Sequence, residues 1–539
     1  MSRPAIARAA CSMQCAPPPK QRLWFLRILK FGPRRDVYPS VREQSTVLFS
    51  SYQFIFVFLP FALAGYFGLR LFASKTVTLF WLICASLTFY AVWDPWNLLV
   101  LFSSIGFNFS CGTYLAERAR AKKPTGLLLA IGIAFNLGLI GYFKYAGFFA
   151  ANLNAVFGTN VPVPDLVLPL AISFFTFQEI AYLVDSSRGE TYGYRFKDYL
   201  LMVVFFPHLI AGPIVNHRIL MRQFMSPVAL RITPATFALG TGLFVFGLAK
   251  KVLLADGIAP QADLVFNGVA NGASPSFADA WIGALAYTLQ LYFDFSGYSD
   301  MAIGLGLLFG IRLPLNFNSP YQATNIIDFW RRWHMSLSAF LRDYLYFSLG
   351  GNQRGEARRY VNLGVTMLLG GLWHGAGWTF VCWGAFHGLG LAICHLWIRL
   401  VGGSKRSGKS RWGPMLARAL TMIFVIFGWV MFRADSLGSA GKMMGTMIGL
   451  NGFNLSINAE RQLTGLLMLA SIAAMMAIAL FAPNSQQWLG YDPQRPVEEG
   501  HSWNARLTAY PLHGAALGCL FVFTLTQMSA VHSFLYFQF

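Results

Sequence analysis

From residue 54 to residue 526 the chain keeps returning to one feature, apolar runs near the roughly 20 residues that cross a bilayer as a helix. The clearest are Phe54–Leu71, Thr76–Val92, Gly126–Phe149, Leu200–Val215, Thr236–Leu254, Ala280–Phe293, Met415–Phe432, Leu463–Phe481 and Leu512–Thr526. A soluble domain wets its surface with about 25% charged residues; this chain has 12%, against 55% hydrophobic, over 539 residues. One soluble core of that length would be far too large for so few charges to cover. The sequence therefore predicts an all-α, polytopic transmembrane protein. About eleven spanning helices are expected, give or take two.

The formal net charge of +20 invites a nucleic-acid reading, but its placement opposes one. Basic residues fall in short connections between apolar runs, such as Arg118, Arg120, Lys122 and Lys123, or Arg399, Lys405, Arg406, Lys409 and Arg411. Short Lys/Arg-rich loops stay on the cytoplasmic side. Both clusters are thus expected to be cytoplasmic, with an even number of crossings between them, membrane lipid as the surrounding partner and no nucleic acid.

Residues 1–46 differ from the rest, with nine Lys/Arg against Asp36 and Glu43, and Pro17, Pro18 and Pro19 in a row. They contain no apolar run of signal-peptide type. Two readings stand: a basic extension lying on anionic lipid, or a product of the assigned start codon, with the membrane domain proper spanning 47–539. The seven cysteines form no CxxC or metal-ligand spacing, so neither a disulfide framework nor a metal site is expected.

Ionisable side chains in hydrocarbon are costly unless paired or facing a wet cavity, so those inside apolar runs are the first candidates for function. They gather in three places. In Tyr287–Asp300, Asp294 and Asp300 are six apart, a spacing that does not share a helix face and argues against a carboxylate acid/base pair. Gly297 between them permits a break, and pairing with Arg331, Arg332 or Arg342 is the structural alternative to catalysis. Phe329–Tyr346 carries Trp330, Trp333 and Leu337 on one helical face with Arg331, Arg332, Arg342 and Asp343 on others, polar enough to suggest an interfacial or re-entrant helix. His334 lies within it, by itself most simply a structural residue. The third place is Leu368–Gly377, where Trp373 and His374 sit among small residues. A neutral imidazole in a dry setting is a general base.

No GxSxG, P-loop or HExxH is present, and no solenoid repeat. The residues alone fit a transporter or polymer-assembly component as well as an enzyme.

At these same positions the sequence resembles the membrane-bound O-acyltransferases, in the branch of the alginate O-acetyltransferase membrane subunit and the D-alanyl transfer protein of teichoic acids. The resemblance is carried by Phe49–Ser51, Leu168–Phe174, Phe206–Pro213, Gln290–Asp300, Phe329–His334, Gly370–Gly375 and the closing Tyr536–Phe539, in the family's order across Val47–Phe539. It implies a helical body pierced by a central channel in the bacterial inner membrane. Position by position, it implies His374 as the catalytic histidine, His334 as its partner, and Asp294 and Asp300 as architectural residues, with Trp330, Arg331, Arg332 and Trp373 in the supporting blocks.

The implied activity is transfer of an acyl group, acetyl by resemblance, from a cytoplasmic donor such as acetyl-CoA to hydroxyls of an exported polysaccharide. The implied partner is a periplasmic or membrane-anchored acetyltransferase. No bound cofactor is expected, and the basic residues Lys250, Lys251 and Arg354 are expected to face an anionic donor. Two departures from the family pattern stand out. Ala171 replaces a common glycine, and Asn216-His217-Arg218 follows the Ala211–Ile214 block where relatives show an arginine sooner.

Overall fold

A computed structural model describes residues 48–164, 166–225, 232–401, 412–455, 462–493, 511–528 and 534–535. The basic N-terminal extension, Lys405–Arg411 and Tyr536–Phe539 lie outside the described residues. Helices and connecting turns make up the fold, and no strand occurs among the described residues.

Six described helices are long and apolar enough to cross a membrane: Phe54–Phe72, Asn97–Arg120, Gly126–Phe157, Pro234–Ala270, Trp378–Leu400 and Gly413–Arg433. Lys75–Ala91, Gly465–Phe481 and Leu512–Thr526 are shorter apolar helices. The chain is a multi-pass membrane protein. Asn97–Arg120 and Trp378–Leu400 are absent from the clearest sequence runs because Asn97, Ser103, Ser104, Asn108 and Ser110, or His387 and His395, interrupt them.

Leu200–Val215 does not form one helix. It folds as Phe196–Val204 and a single turn Phe206–Leu209, then runs without helical structure through Val215. Pro207 and Pro213 remove two backbone donors. Gly212 packs so closely that a Cβ there would lie 2.4 Å from the His208 Cα. Phe205 through Val215 are buried, and irregular backbone at membrane depth is tolerated where protein surrounds it.

The helix Phe277–Leu308 runs through the middle of the bundle, and every residue from Ala286 to Leu308 is buried. Gly297 does not break it. A Cβ at Gly297 would meet the Gly247 carbonyl oxygen at 2.7 Å, and one at Gly304 would meet that of Gly240 at 2.5 Å. These glycines let the Pro234–Ala249 helix press its backbone against the central helix, as small residues do between membrane helices. The approach brings the following π-helical turn, Lys250–Ala255, beside the central helix's two aspartates.

Glu356–His374 and Trp378–Leu400 form a hairpin of the same kind, in which a Cβ at Gly371 would lie 3.0 Å from the Gly384 Cα. Arg399 pairs with Glu356 at its open end. His374 stands at the other end, about 27 Å away at 1.5 Å rise per residue.

Candidate functional site

His374 is the last residue of the Glu356–His374 helix, where carbonyls have no intrahelical donors. Two side chains from another helix supply them. Lys144 Nζ donates to the carbonyls of Trp373 (2.7 Å) and His374 (3.0 Å), and Tyr145 Oη donates to that of Leu372 (2.8 Å). A cation at a helix C-terminus also meets the negative end of the helix dipole. Both residues belong to a π-helical turn, Gly141–Tyr145, inside the Gly126–Phe157 span. No sequence motif marked them, although a lysine within an apolar run was the available signal.

The imidazole of His374 is enclosed by aromatic rings, those of Trp373, Trp383 and Phe432 at centroid distances of 5.0, 5.3 and 5.2 Å. His334 joins it across 6.4 Å. About forty residues of sequence separate the two histidines, and only the fold brings them together.

His334 sits at a sharp corner. The expected helix over Phe329–Tyr346 is instead Ile326–Arg332 and Met335–Phe340, followed by the π-helical Leu341–Tyr346. His334 takes the left-handed conformation between them, with φ 43°. Asn316 Oδ1 holds its Nδ1 at 3.0 Å.

Asp294 lines a cavity of about 20 Å³ together with His374, Trp333, Phe534 and Leu535, space for one water molecule. Its partner is not an arginine. Lys251 Nζ lies 2.7 Å from Asp294 Oδ1 and also pairs with Asp256, and the Leu535 N–H donates to Asp294 Oδ2 at 3.0 Å. Asp300 likewise pairs with Lys250, at 2.5 Å, and accepts from Ser485 and Gln486. The close glycine contacts bring lysines of the adjacent π-turn, and no arginine among the described residues, to the two aspartates. Lys251 is only 3% exposed and is held by two carboxylates, so the expectation that Lys251 faces an anionic donor is overturned.

The three arginines point elsewhere. Arg342 pairs with Asp343, Arg332 pairs with Asp328, and Arg331 is exposed. Trp330 packs edge-on against Trp383 and His387. His387 is fully buried, and neither of its ring nitrogens has a hydrogen-bond partner among the described residues. Trp373 stacks on Phe177 at 5.0 Å.

A second cavity of about 860 Å³ is lined by Gln178, Arg218, Arg222, Met335, Ser336 and Tyr344, among others. That volume suits a small-molecule ligand. The segment Trp333–Ser336 touches both spaces, Trp333 facing the small one and Met335 and Ser336 the large one. Two cavities thus flank the His334 corner, and no described lining residue is common to both.

Of Asn216, His217 and Arg218, which depart from the family pattern, Asn216 and Arg218 line the larger cavity and His217 is buried. His217 Nε2 and Tyr344 Oη donate to the buried Asp185, at 2.8 and 2.7 Å, and Arg218 pairs with it at 3.2 Å. This wall connects to the basic loops, since Tyr194 contacts His217 and the Arg120 guanidinium lies over the Tyr192 ring. The larger cavity is thus on the side of Arg118–Lys123, the loop expected from the charge rule to be cytoplasmic.

Comparison with known proteins decides which activity this helical body carries. The model of the membrane-bound O-acyltransferase family matches residues 176–433, which include both histidines and both aspartates. A probable alginate O-acetylase of Pseudomonas putida is 40% identical over 513 residues, covering 92% of this chain and 100% of the relative. The chain belongs to the membrane-bound O-acyltransferase family. A peptidoglycan O-acetyltransferase of Helicobacter pylori is 43% identical over 445 residues, 77% of this chain and 82% of the relative. A teichoic acid D-alanyltransferase of Bacillus subtilis is more distant, 30% identical over 283 residues, 50% of this chain and 70% of the relative. Between the two function classes the residues left open, membership in the membrane-bound O-acyltransferases selects the enzyme.

Proposed function

We propose that this membrane-bound O-acyltransferase moves an acetyl group from an activated cytoplasmic donor to hydroxyls of an exported polysaccharide, with His374 as general base and His334 as its partner. The observation that carries the reading is the meeting of His374 and the ion-paired Asp294 around one water-sized space, with the His334 ring 6.4 Å from that of His374. The larger cavity suits the donor. Its arginines and its position on the basic side favour an anionic thioester such as acetyl-CoA, and the Trp333–Ser336 corner is its point of contact with the inner space. The relatives named above as acetylating alginate and peptidoglycan support a polysaccharide acceptor and the acetyl group. The enclosing membrane is the bacterial inner membrane, and a periplasmic or membrane-anchored acetyltransferase is the partner that completes delivery to the polymer.

In this reading His374 takes the proton of the attacking hydroxyl as its oxygen bonds to the thioester carbonyl carbon. Collapse of the tetrahedral intermediate breaks the carbon–sulfur bond, and the proton leaves with the thiolate. A positioned base of this kind contributes on the order of 10²–10⁴ in rate. The ring enclosure excludes bulk water, which would otherwise hydrolyse the thioester. The test is label transfer from acetyl-CoA to ester-linked glycan acetate in inverted membrane vesicles. His374→Gln is expected to abolish transfer at unchanged protein abundance; undiminished transfer would remove His374 from the mechanism.

A further inference from the structure

His334 has two ring nitrogens, and the structure distinguishes them. Nδ1 faces Asn316 Oδ1 at 3.0 Å, whereas the buried Nε2 has no partner among the described residues. The identity of the Asn316 atom is fixed by its other contacts. The Ser336 backbone N–H, which can only donate, reaches the same atom at 3.4 Å, and Ser336 Oγ reaches it at 2.8 Å. Ser336 Oγ is itself occupied as an acceptor by the Ile214 N–H at 3.0 Å, which leaves its own proton for Asn316. The atom facing Nδ1 is therefore the amide oxygen, an acceptor, and the Nδ1 of neutral His334 carries the proton.

Asn316 also holds the corner itself. Its carbonyl accepts the Met335 N–H at 2.9 Å, next to the left-handed backbone of His334. Asn316 is completely buried, and its Nδ2 reaches Ser299 Oγ on the central helix at 3.4 Å. One side chain thus fixes where the imidazole sits, how it is turned and which nitrogen bears hydrogen.

We propose that Asn316 is a positioning residue for acyl transfer. By accepting the Nδ1 proton it leaves Nε2 of His334 as a hydrogen-bond acceptor, so His334 works on the proton-accepting side of the reaction and does not donate to the oxyanion. This rests on the reading of His374 and His334 as the reaction centre. The charged and titratable groups around His334 are His374 at the helix end, Lys144 on the carbonyls of Trp373 and His374, and the Lys251–Asp294 pair beside the small cavity. Substitution of Asn316 leaves all of them in place.

The experiment measures ester-linked acetate formed from labelled acetyl-CoA in inverted vesicles carrying the full-length chain, as a function of pH. Asn316→Leu removes the acceptor and is expected to lower kcat by about tenfold or more with the KM for acetyl-CoA unchanged. Asn316→Asp keeps an acceptor and adds a charge that favours protonated His334, so it is expected to retain turnover with the acid limb of its profile moved to higher pH. A merely structural asparagine would not move that limb. An unchanged Asn316→Asp profile, or full turnover in Asn316→Leu, overturns the proposal. His334→Ala and His374→Ala run alongside: full activity in both would instead overturn the underlying reading.

Discussion

Lys251 Nζ and Asp294 Oδ1 lie 2.7 Å apart in the protein interior, on two helices pressed together by facing glycines. Asp294 lines the cavity that holds His374, so this ion pair is both a fastening of the bundle and one wall of the site. Removing one partner leaves an uncompensated buried charge, at a cost of about 3–5 kcal/mol. Lys251→Met is therefore expected to lower the melting temperature of the detergent-solubilised protein sharply. Pairing it with Asp294→Leu is expected to recover much of that loss, because replacement of a buried pair by apolar groups is often neutral. Thermal unfolding of the two single variants and the double variant checks this, and equal losses in the single and double variants would refute the pairing.

Gly297→Ala is expected to destabilise by about 1–3 kcal/mol, the usual range for overpacking. The new Cβ would meet the Gly247 carbonyl at 2.7 Å, a backbone atom that has no rotamer to escape into. The same substitution at Gly138, where nothing lies within 4 Å of an added Cβ, is the control, and both are read from thermal unfolding in detergent.

Lys144→Met keeps the length of the side chain but removes the donor to the Trp373 and His374 carbonyls. Acetate transfer is expected to fall by about tenfold or more through kcat, with the donor's KM unchanged, because the group lost positions His374 and does not touch the larger cavity. Kinetics on matched amounts of membrane protein provide the check.

The membrane architecture was legible because apolar length is a direct physical requirement of the bilayer. The histidines, too, stood in recognisable blocks. Their companions did not, and the reasons are geometric. Lys250 and Lys251 read as cytoplasmic charge, since nothing local shows that Gly247 and Gly297 draw their helices together. Asn316 lies in an irregular stretch without periodicity, and its role appears only when Met335 and Ser336 fold back onto it. Ala171 reads as a small steric change from glycine, but the structure gives it φ 60°. What matters there is a left-handed backbone, which costs a non-glycine residue roughly 1–2 kcal/mol. Leu200–Val215 reads as a span by composition and is broken by its own prolines.

The most direct test of the central claim is ester-linked acetate on the exported polysaccharide of cells expressing His374→Ala, with membrane abundance matched to the unsubstituted protein. Loss of acetate at unchanged polymer yield is the predicted result. Normal acetate would contradict His374 as the base, and a fall in the polymer itself would contradict acyl transfer as the function.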